Sequence, residues 1–514
     1  MHRSLHVLPV AALALALTAC GGGSAPASAR TDTLIVGTSA KPQTLDPLLA
    51  SDVQTDFTAA PAYDTILGYD REDRLVPLLA TEWKVSADAT SIDLTLRSDV
   101  KFHDGSPLTA DDVVYTLDRT AELGLGTASL IADYASAEAA DATHLTIRLK
   151  KPNSSFAGAL SRVYVLNAKL VEANAGTDHG QSWLATHEAG SGAYAMSSYA
   201  SGQQIEFTKF DGYFDPSRGD AGTLVYRYMG ESATIRDELR SGSIDVGYGM
   251  NQTDIATFEG APGFTTTPVP SPLQLYVFFD NSEGPTADIR VRKAIRLAYD
   301  YQGHLDGILK GSGVLANGPL AKTVACGLER PDSVQNVAEA KSLLAEAGVK
   351  DLSLTLSYQP VIPEHAAAAT LLQSNLRDIG IDLKLKSVTY PEFIKSLSTK
   401  GEAPQLGLMY DFPLYPDPTA MLYRVYESGF VGTGSNYGSY ANPKVDALLD
   451  KALKEPDPEK ACAIDKDIQE IIDDDAVSVN IASSQIRFVH RSEVGGIAYT
   501  PTHILNDAAA FTLD

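Results

Sequence analysis

Cysteine, tryptophan and basic charge are scarce in this chain. Its 514 residues include 3 Cys and 2 Trp, and 41 Lys and Arg stand against 65 Asp and Glu. Three cysteines cannot build a disulfide scaffold, and no CxxC pair or Cys/His cluster falls at zinc spacing. No bound metal and no cofactor are therefore expected. The formal charge of −24 repels nucleic acid and anionic lipid, so neither is an expected partner. After the first twenty residues no stretch approaches the ~18 apolar residues that span a bilayer.

Catalytic signatures are missing too. There is no G-x-S-x-G elbow, no H-E-x-x-H, no G-x-x-x-x-G-K-[ST], and no G-x-G-x-x-G opening a helix. The 10 His are scattered, and acid runs such as Asp473-Asp474-Asp475 look like charges at a helix end. Glycosidase carboxylates need no local spacing, so a secreted hydrolase stays as an alternative of another class. The first expectation is that the protein is not an enzyme.

The amino end, MHRSLHVLPVAALALALTACGGG, has a basic start, an apolar run from Leu8 to Leu17 and then small residues. That is the order of a secretory signal peptide, residues 1–19. Leu17-Thr18-Ala19-Cys20 resembles the bacterial lipobox, which implies that Cys20 carries lipid. Residues 20–32 then read as a Gly/Ser/Ala tether. An exported chain permits a disulfide between Cys326 and Cys462, and two isolated thiols are the other reading.

Apolar and polar residues alternate in Ser91–Phe102, His144–Lys150 and Gln203–Phe210, as in half-buried strands. TLIVG at Thr33 reads as a buried strand and LQLYVFFD, ending at Asp280, as another. Helical spacing appears in DIRVRKAIRLAYD from Asp288, in residues 371–380, and in two segments from Pro443 and Pro458. Thr109 with Asp112 reads as a capping box, and Gly348 as a left-handed helix end. Strands and helices mix without a regular rhythm, which predicts an α/β chain. At ~150 residues per domain the length suggests about three domains.

VKFHDGSPLTADDVVYTLDR (Val100–Arg119) resembles the hallmark of the bacterial extracellular solute-binding proteins of the dipeptide, oligopeptide and nickel family. Six further blocks resemble the family in order: PLLATEWKVSAD, GSGAYAMSSYASGQQIEF, ELRSGSIDV, DIRVRKAIRLAYD, LRDIGIDLKL and NPKVDALLDKA. The resemblance implies a two-lobed periplasmic-binding-protein-like fold with an extra inserted domain. Lobe I is expected at 33–68, 189–280 and 485–514, the inserted domain II at 69–188, and lobe III at 281–484. LQLYVFFD and SQIRFVHR (Ser484–Arg491) would be the crossings between lobes. The implied role is a monomeric, lipid-anchored receptor of an ABC importer, at the outer face of the cytoplasmic membrane or in the periplasm. It would pass a solute to the permease subunits.

The resemblance also points to a ligand segment. Peptide-binding relatives carry Gly-Trp-x-x-Asp-Tyr-x-Asp-Pro, whose first Asp holds the peptide's amino group. Gly407–Pro418 resembles it with two extra residues, and Leu414 stands four before the final Pro where that Asp is expected. Asp411 is the candidate substitute. Tyr410, Phe412 and Tyr415 are candidate cleft walls, suited to apolar side chains or sugar faces. Pro416-Asp417-Pro418 reads as a stiff turn. Ser39 and Lys41 after the first strand, and Asn436 and Tyr437, complete the ligand-binding candidates. A peptide-like solute is favoured, followed by an oligosaccharide or glycoconjugate, then a metal chelate.

Overall fold

The computed structural model describes residues 32–49, 53–399, 401–433, 435–500 and 507–513. The expected signal peptide, most of the tether and Cys20 lie outside the described residues. Three main sheets organise the chain. The first has seven strands, in the order Phe264–Val269, Ile486–Arg491, Val246–Tyr248, Thr33–Thr38, Thr223–Tyr228, Gln204–Lys209 and Tyr194–Ala200. The second, of four antiparallel strands, runs Ala80–Val85, Ser91–Leu96, His144–Leu149 and Tyr134–Ala139. The third has six, in the order Gly313–Leu315, Ser478–Ser484, Gln274–Phe279, Leu406–Asp411, Ser353–Tyr358 and Asp382–Ser387.

The alternation in the sequence sets the burial. In Ser91–Leu96 the side chains of Ile92, Leu94 and Leu96 face the core while Asp93 is exposed. The first two sheets share one hydrophobic core, with Leu34, Ile92, Phe207 and Phe488 in it. The six-stranded sheet has its own, around Leu275, Val277 and Leu408. Thr109 opens the helix Ala110–Leu123, its backbone N–H donating to Asp112 Oδ2 at 2.9 Å. Gly348 ends Val337–Ala347 at φ 69°. The helix expected at 371–380 starts earlier, as Pro363–Asp378. Pro363 occupies its first turn, where the missing N–H costs nothing, and an alanine run propagates it.

LQLYVFFD is not a crossing between lobes. Gln274–Phe279 pairs on one side with Leu406–Asp411 and on the other with Ser478–Ser484, inside the six-stranded sheet. The change from one sheet to the other lies between Val269 and Gln274, ahead of the break expected at 280. Phe264–Val269 pairs with Ile486–Arg491, and Gln274–Phe278 with Ser478–Ser483. One antiparallel ribbon thus runs through both sheets and is interrupted at Pro270–Leu273 and around Gln485. A cavity of 130 Å³ lies at that break, touched by Pro270, Ser271 and Gln485.

Cys326 and Cys462 form a disulfide, Cα to Cα 5.4 Å, across 136 residues. It ties the 316–336 loop to the helix Pro458–Asp474. Among the described residues no helix is long and apolar enough to cross a membrane.

Candidate functional site

The strand Leu406–Asp411 leads to the site. Gly407 is required there, because a Cβ would sit 2.0 Å from the Phe278 ring packed over it. The strand stops at Asp411, where three prolines withdraw amide donors from any further pairing. The next helix is Pro418–Tyr426, capped by Asp417, whose carboxylate accepts from Ala420 N–H at 2.8 Å. Pro416-Asp417-Pro418 is thus a helix start.

The turn between strand and helix crosses to the other lobe. Tyr415 is buried in the core of the first two sheets, although it comes from the six-stranded side. A Cβ at Gly158 would lie 2.9 Å from its ring and 2.5 Å from the Tyr69 hydroxyl, so Gly158 leaves the space that the ring enters. Nearby, Ser154 N–H donates to Leu453 O at 2.8 Å.

A cavity of 410 Å³ lies beside this seam. One wall comes from the inserted region, with Leu130, Asp133, Lys151 and Asn153. The opposite wall has Leu414, Tyr415, Met421, Tyr423, Arg424 and Phe430. Lys151 Nζ donates to the Tyr423 hydroxyl at 3.1 Å and lies 3.7 Å from Asp133. Asn153 Nδ2 donates to Asp133 Oδ2 at 2.9 Å, while Asn153 Oδ1 is buried without a hydrogen-bond partner among the described residues. Most of the lining is apolar and a few polar groups converge, the usual build of a small-molecule site.

The candidate residues divide sharply. Leu414 and Tyr415 line the cavity. Asp411 is 7% exposed and bound to Arg424 Nη2 at 2.5 Å and to Phe412 N–H at 2.8 Å. Both bonds use Oδ1, and Oδ2 is buried without a hydrogen-bond partner among the described residues. Phe412 contributes its carbonyl, 3.2 Å from Arg424 Nη2. The Tyr410 hydroxyl donates to Glu364, inside the six-stranded lobe. Asn436 staples its own loop, donating to Glu427 O and Tyr440 O and accepting from Tyr440 N–H. Tyr437 packs on Phe278, with centroids 6.0 Å apart. Burial, and after it the charge of Asp411, push the Tyr437 hydroxyl up to about 12, so it stays a donor. Ser39 packs against Gly249, and Lys41 lies exposed beside Gly202; neither lines the cavity.

Sequence reasoning missed Arg424, Tyr423, Lys151 and Asn153. The available hint was an Arg on the helix immediately after the Pro-Asp-Pro cap.

The profile of the bacterial extracellular solute-binding proteins, family 5 (middle region), matches residues 74–433. The chain belongs to this family. It is 28% identical over 511 residues to the "Probable D,D-dipeptide-binding periplasmic protein DdpA" of Escherichia coli strain K12, covering 98% of each chain. The fold is similar to that of HbpA2 from Haemophilus parasuis, at TM-score 0.84 and 21% identity over 94% of this chain and 100% of that one. It is also similar to a dipeptide-binding protein from Pseudoalteromonas sp. SM9913 in complex with Met-Leu, at TM-score 0.78 and 22% identity over 94% and 100%. These likenesses place the family 5 protein in the two-lobed α/β periplasmic-binding fold.

Proposed function

We propose that this family 5 protein is the capturing receptor of an ABC importer, and that it holds a short peptide-like solute between its lobes for delivery to the permease. The observation that carries this reading is the 410 Å³ cavity, walled on one side by the inserted region and on the other by the helix after Pro418. Its size falls in the range of small-molecule sites, ≈ 300–1,000 Å³, and suits a peptide of a few residues better than a long one. The dipeptide named for the Escherichia coli relative is in keeping with that size. A receptor needs closure around its solute and no chemistry. The export signal and the lipobox-like Cys20 would place it, as a monomer, on the outer face of the cytoplasmic membrane.

In this reading lobe I comprises 33–68, 189–270 and 485–514, the inserted domain 69–188, and lobe III 271–484. The sheet memberships support the shifted boundary.

Thermal melting against dipeptides, tripeptides and oligosaccharides tests the reading. A ligand at ~100 times Kd stabilises the fold by about 2.7 kcal/mol. Short peptides are expected to raise the melting temperature and sugars to leave it unchanged. A response to sugars alone would overturn the peptide assignment.

A further inference from the structure

The stretch Val100–Arg119 takes no part in the cavity, yet it holds a shielded histidine. The side chains of His103 and Glu188 are 8% and 13% exposed. His103 Nδ1 lies 2.8 Å from Glu188 Oε1, and Nε2 lies 3.0 Å from the carbonyl oxygen of Gly192. A carbonyl oxygen can only accept, so Nε2 carries a proton. Nδ1 faces a carboxylate whose other oxygen accepts from Gly190 N–H at 2.7 Å. The proton between Nδ1 and Oε1 belongs to the ring, since an imidazole ordinarily holds one up to about 6.5 and a glutamate only to about 4.3. With both nitrogens protonated, the ring is an imidazolium.

The partners of this ring sit where the chain leaves the inserted region for the seven-stranded sheet. Residues 188–192 pass tightly against Pro61 and Ala62. A Cβ at Gly190 would meet Ala62 O at 1.9 Å, and one at Gly192 would meet Pro61 O at 2.5 Å. Gly192 N–H donates to Ala62 O, and His103 N–H to Gly190 O, both at 3.0 Å. Phe210 stands edge-on to the imidazole, centroids 5.0 Å apart.

The other charged and titratable groups near the ring are already engaged. Asp64 takes the hydroxyls of Ser191 and Tyr213, each at 2.8 Å. The Tyr63 hydroxyl accepts from Ala189 N–H at 3.0 Å. Arg218 pairs with Asp507, and Arg97 with Asp99. On the ring's own loop Asp104 accepts from Ser106 and Asn167, and Lys101 is exposed. Burial works against the charge on His103, but the bond to Glu188, the Glu188 charge, the Gly192 carbonyl and the Asp64 charge together hold it above the ordinary 6.5.

We propose that His103 is a proton-dependent staple. With both ring protons it ties the inserted region to the 188–192 joint through Glu188 and Gly192. When one proton leaves, a bare ring nitrogen faces an oxygen that can only accept, and the joint loosens. The inserted region shares one hydrophobic core with the seven-stranded sheet, so the outcome is lower stability and not separation. The staple is complete below about pH 6.5 and is lost as the pH rises through the higher folded value.

NMR titration of the whole chain, labelled at histidine, tests this directly, with His103→Gln assigning the resonance. Both His103 nitrogens are expected to be protonated at about pH 6, with a midpoint above 6.5. Glu188→Gln should bring that midpoint to 6.5 or below. The same change identifies the resonance if His103→Gln fails to fold. Urea unfolding between about pH 6 and 9 gives the second readout. The wild type should lose about tenfold in its folding equilibrium for each unit by which the midpoint exceeds 6.5, and Glu188→Gln and His103→Gln should not. A wild-type ring that is neutral at pH 6, or a midpoint unmoved by Glu188→Gln, overturns the staple. So does a pH dependence of stability that is the same in wild type and variants.

Discussion

Two arginine–aspartate pairs built from the same side chains have opposite uses. Arg119 grips Asp46 with both Nη atoms, at 3.3 and 2.6 Å, and donates Nε to His179 O at 2.7 Å. Their side chains are 2% and 0% exposed. All three nitrogens of that guanidinium are engaged, so the pair joins the segment after the first strand to the helix Ala110–Leu123. Arg424 touches Asp411 through one corner and turns toward a cavity. A bidentate buried pair is a structural joint, whereas a pair held at one corner keeps donors free for a ligand.

Breaking the joint should have the largest effect. Arg119→Met leaves Asp46 as an uncompensated buried charge and is expected to cost about 3–5 kcal/mol in urea unfolding. A loss under 1 kcal/mol would mean that Asp46 finds water or another partner.

Acids without a basic partner come next. Asp465 is pushed up to about 7 by burial and then by the charge of Asp417, although Thr419 donates to both its oxygens. Asp417 is pushed up to about 6, chiefly by burial. Both folded values lie above the ordinary 3.8, so the folded protein holds these protons more tightly than the unfolded chain. Their stabilising contribution is complete near pH 4 and is lost as the pH rises through about 6 to 7. Melting temperature measured across that window should therefore fall more in the wild type than in Asp465→Asn. Equal slopes would show that Asp465 ionises normally.

Gly158→Ala addresses the seam beside the Arg424 pair. The added methyl must displace Tyr415 or Tyr69, an overpacking cost of about 1–3 kcal/mol. Because those rings meet only where the lobes touch, the cost should appear as weaker peptide binding more than as a lower melting temperature of the free protein.

The smallest effect is expected for the combined Asp411→Asn and Arg424→Gln change, within about 1 kcal/mol in stability, since both charges leave together. Asp411→Asn alone should cost more than the pair, and a double-mutant cycle measures the coupling.

The sequence was most informative where the physics is local. Period-two alternation located Ser91–Leu96 and His144–Leu149, and cap chemistry located the ends at Thr109 and Gly348. Ordered family blocks made the two-lobed class legible. The site was less so. Asp411 meets Arg424 only after a proline loop and half a helix intervene, and Lys151 finds Tyr423 across 272 residues. No residue spacing encodes such a meeting. Asn436 looked like a polar contact for a ligand and instead closes its own loop, because a carboxamide can satisfy three backbone groups at once. Leu414 was singled out for the acid it lacks, and it does line the cavity.

The interrupted ribbon sets the kinematics of the molecule. On either side of the break the two strands are locked in register, from Phe264 opposite Arg491 to Val269 opposite Ile486, and again from Gln274 opposite Ser483. Each half of the ribbon moves with its own lobe, so the strand pairing survives intact and a change in the angle between lobes is taken up at Pro270–Leu273 and Gln485. Pro270 and Pro272 stiffen one tether, so most of the angular change falls on Ser271, Leu273 and the shorter strand. Two short tethers lying side by side thus carry the change of angle between the seven-stranded and the six-stranded sheets.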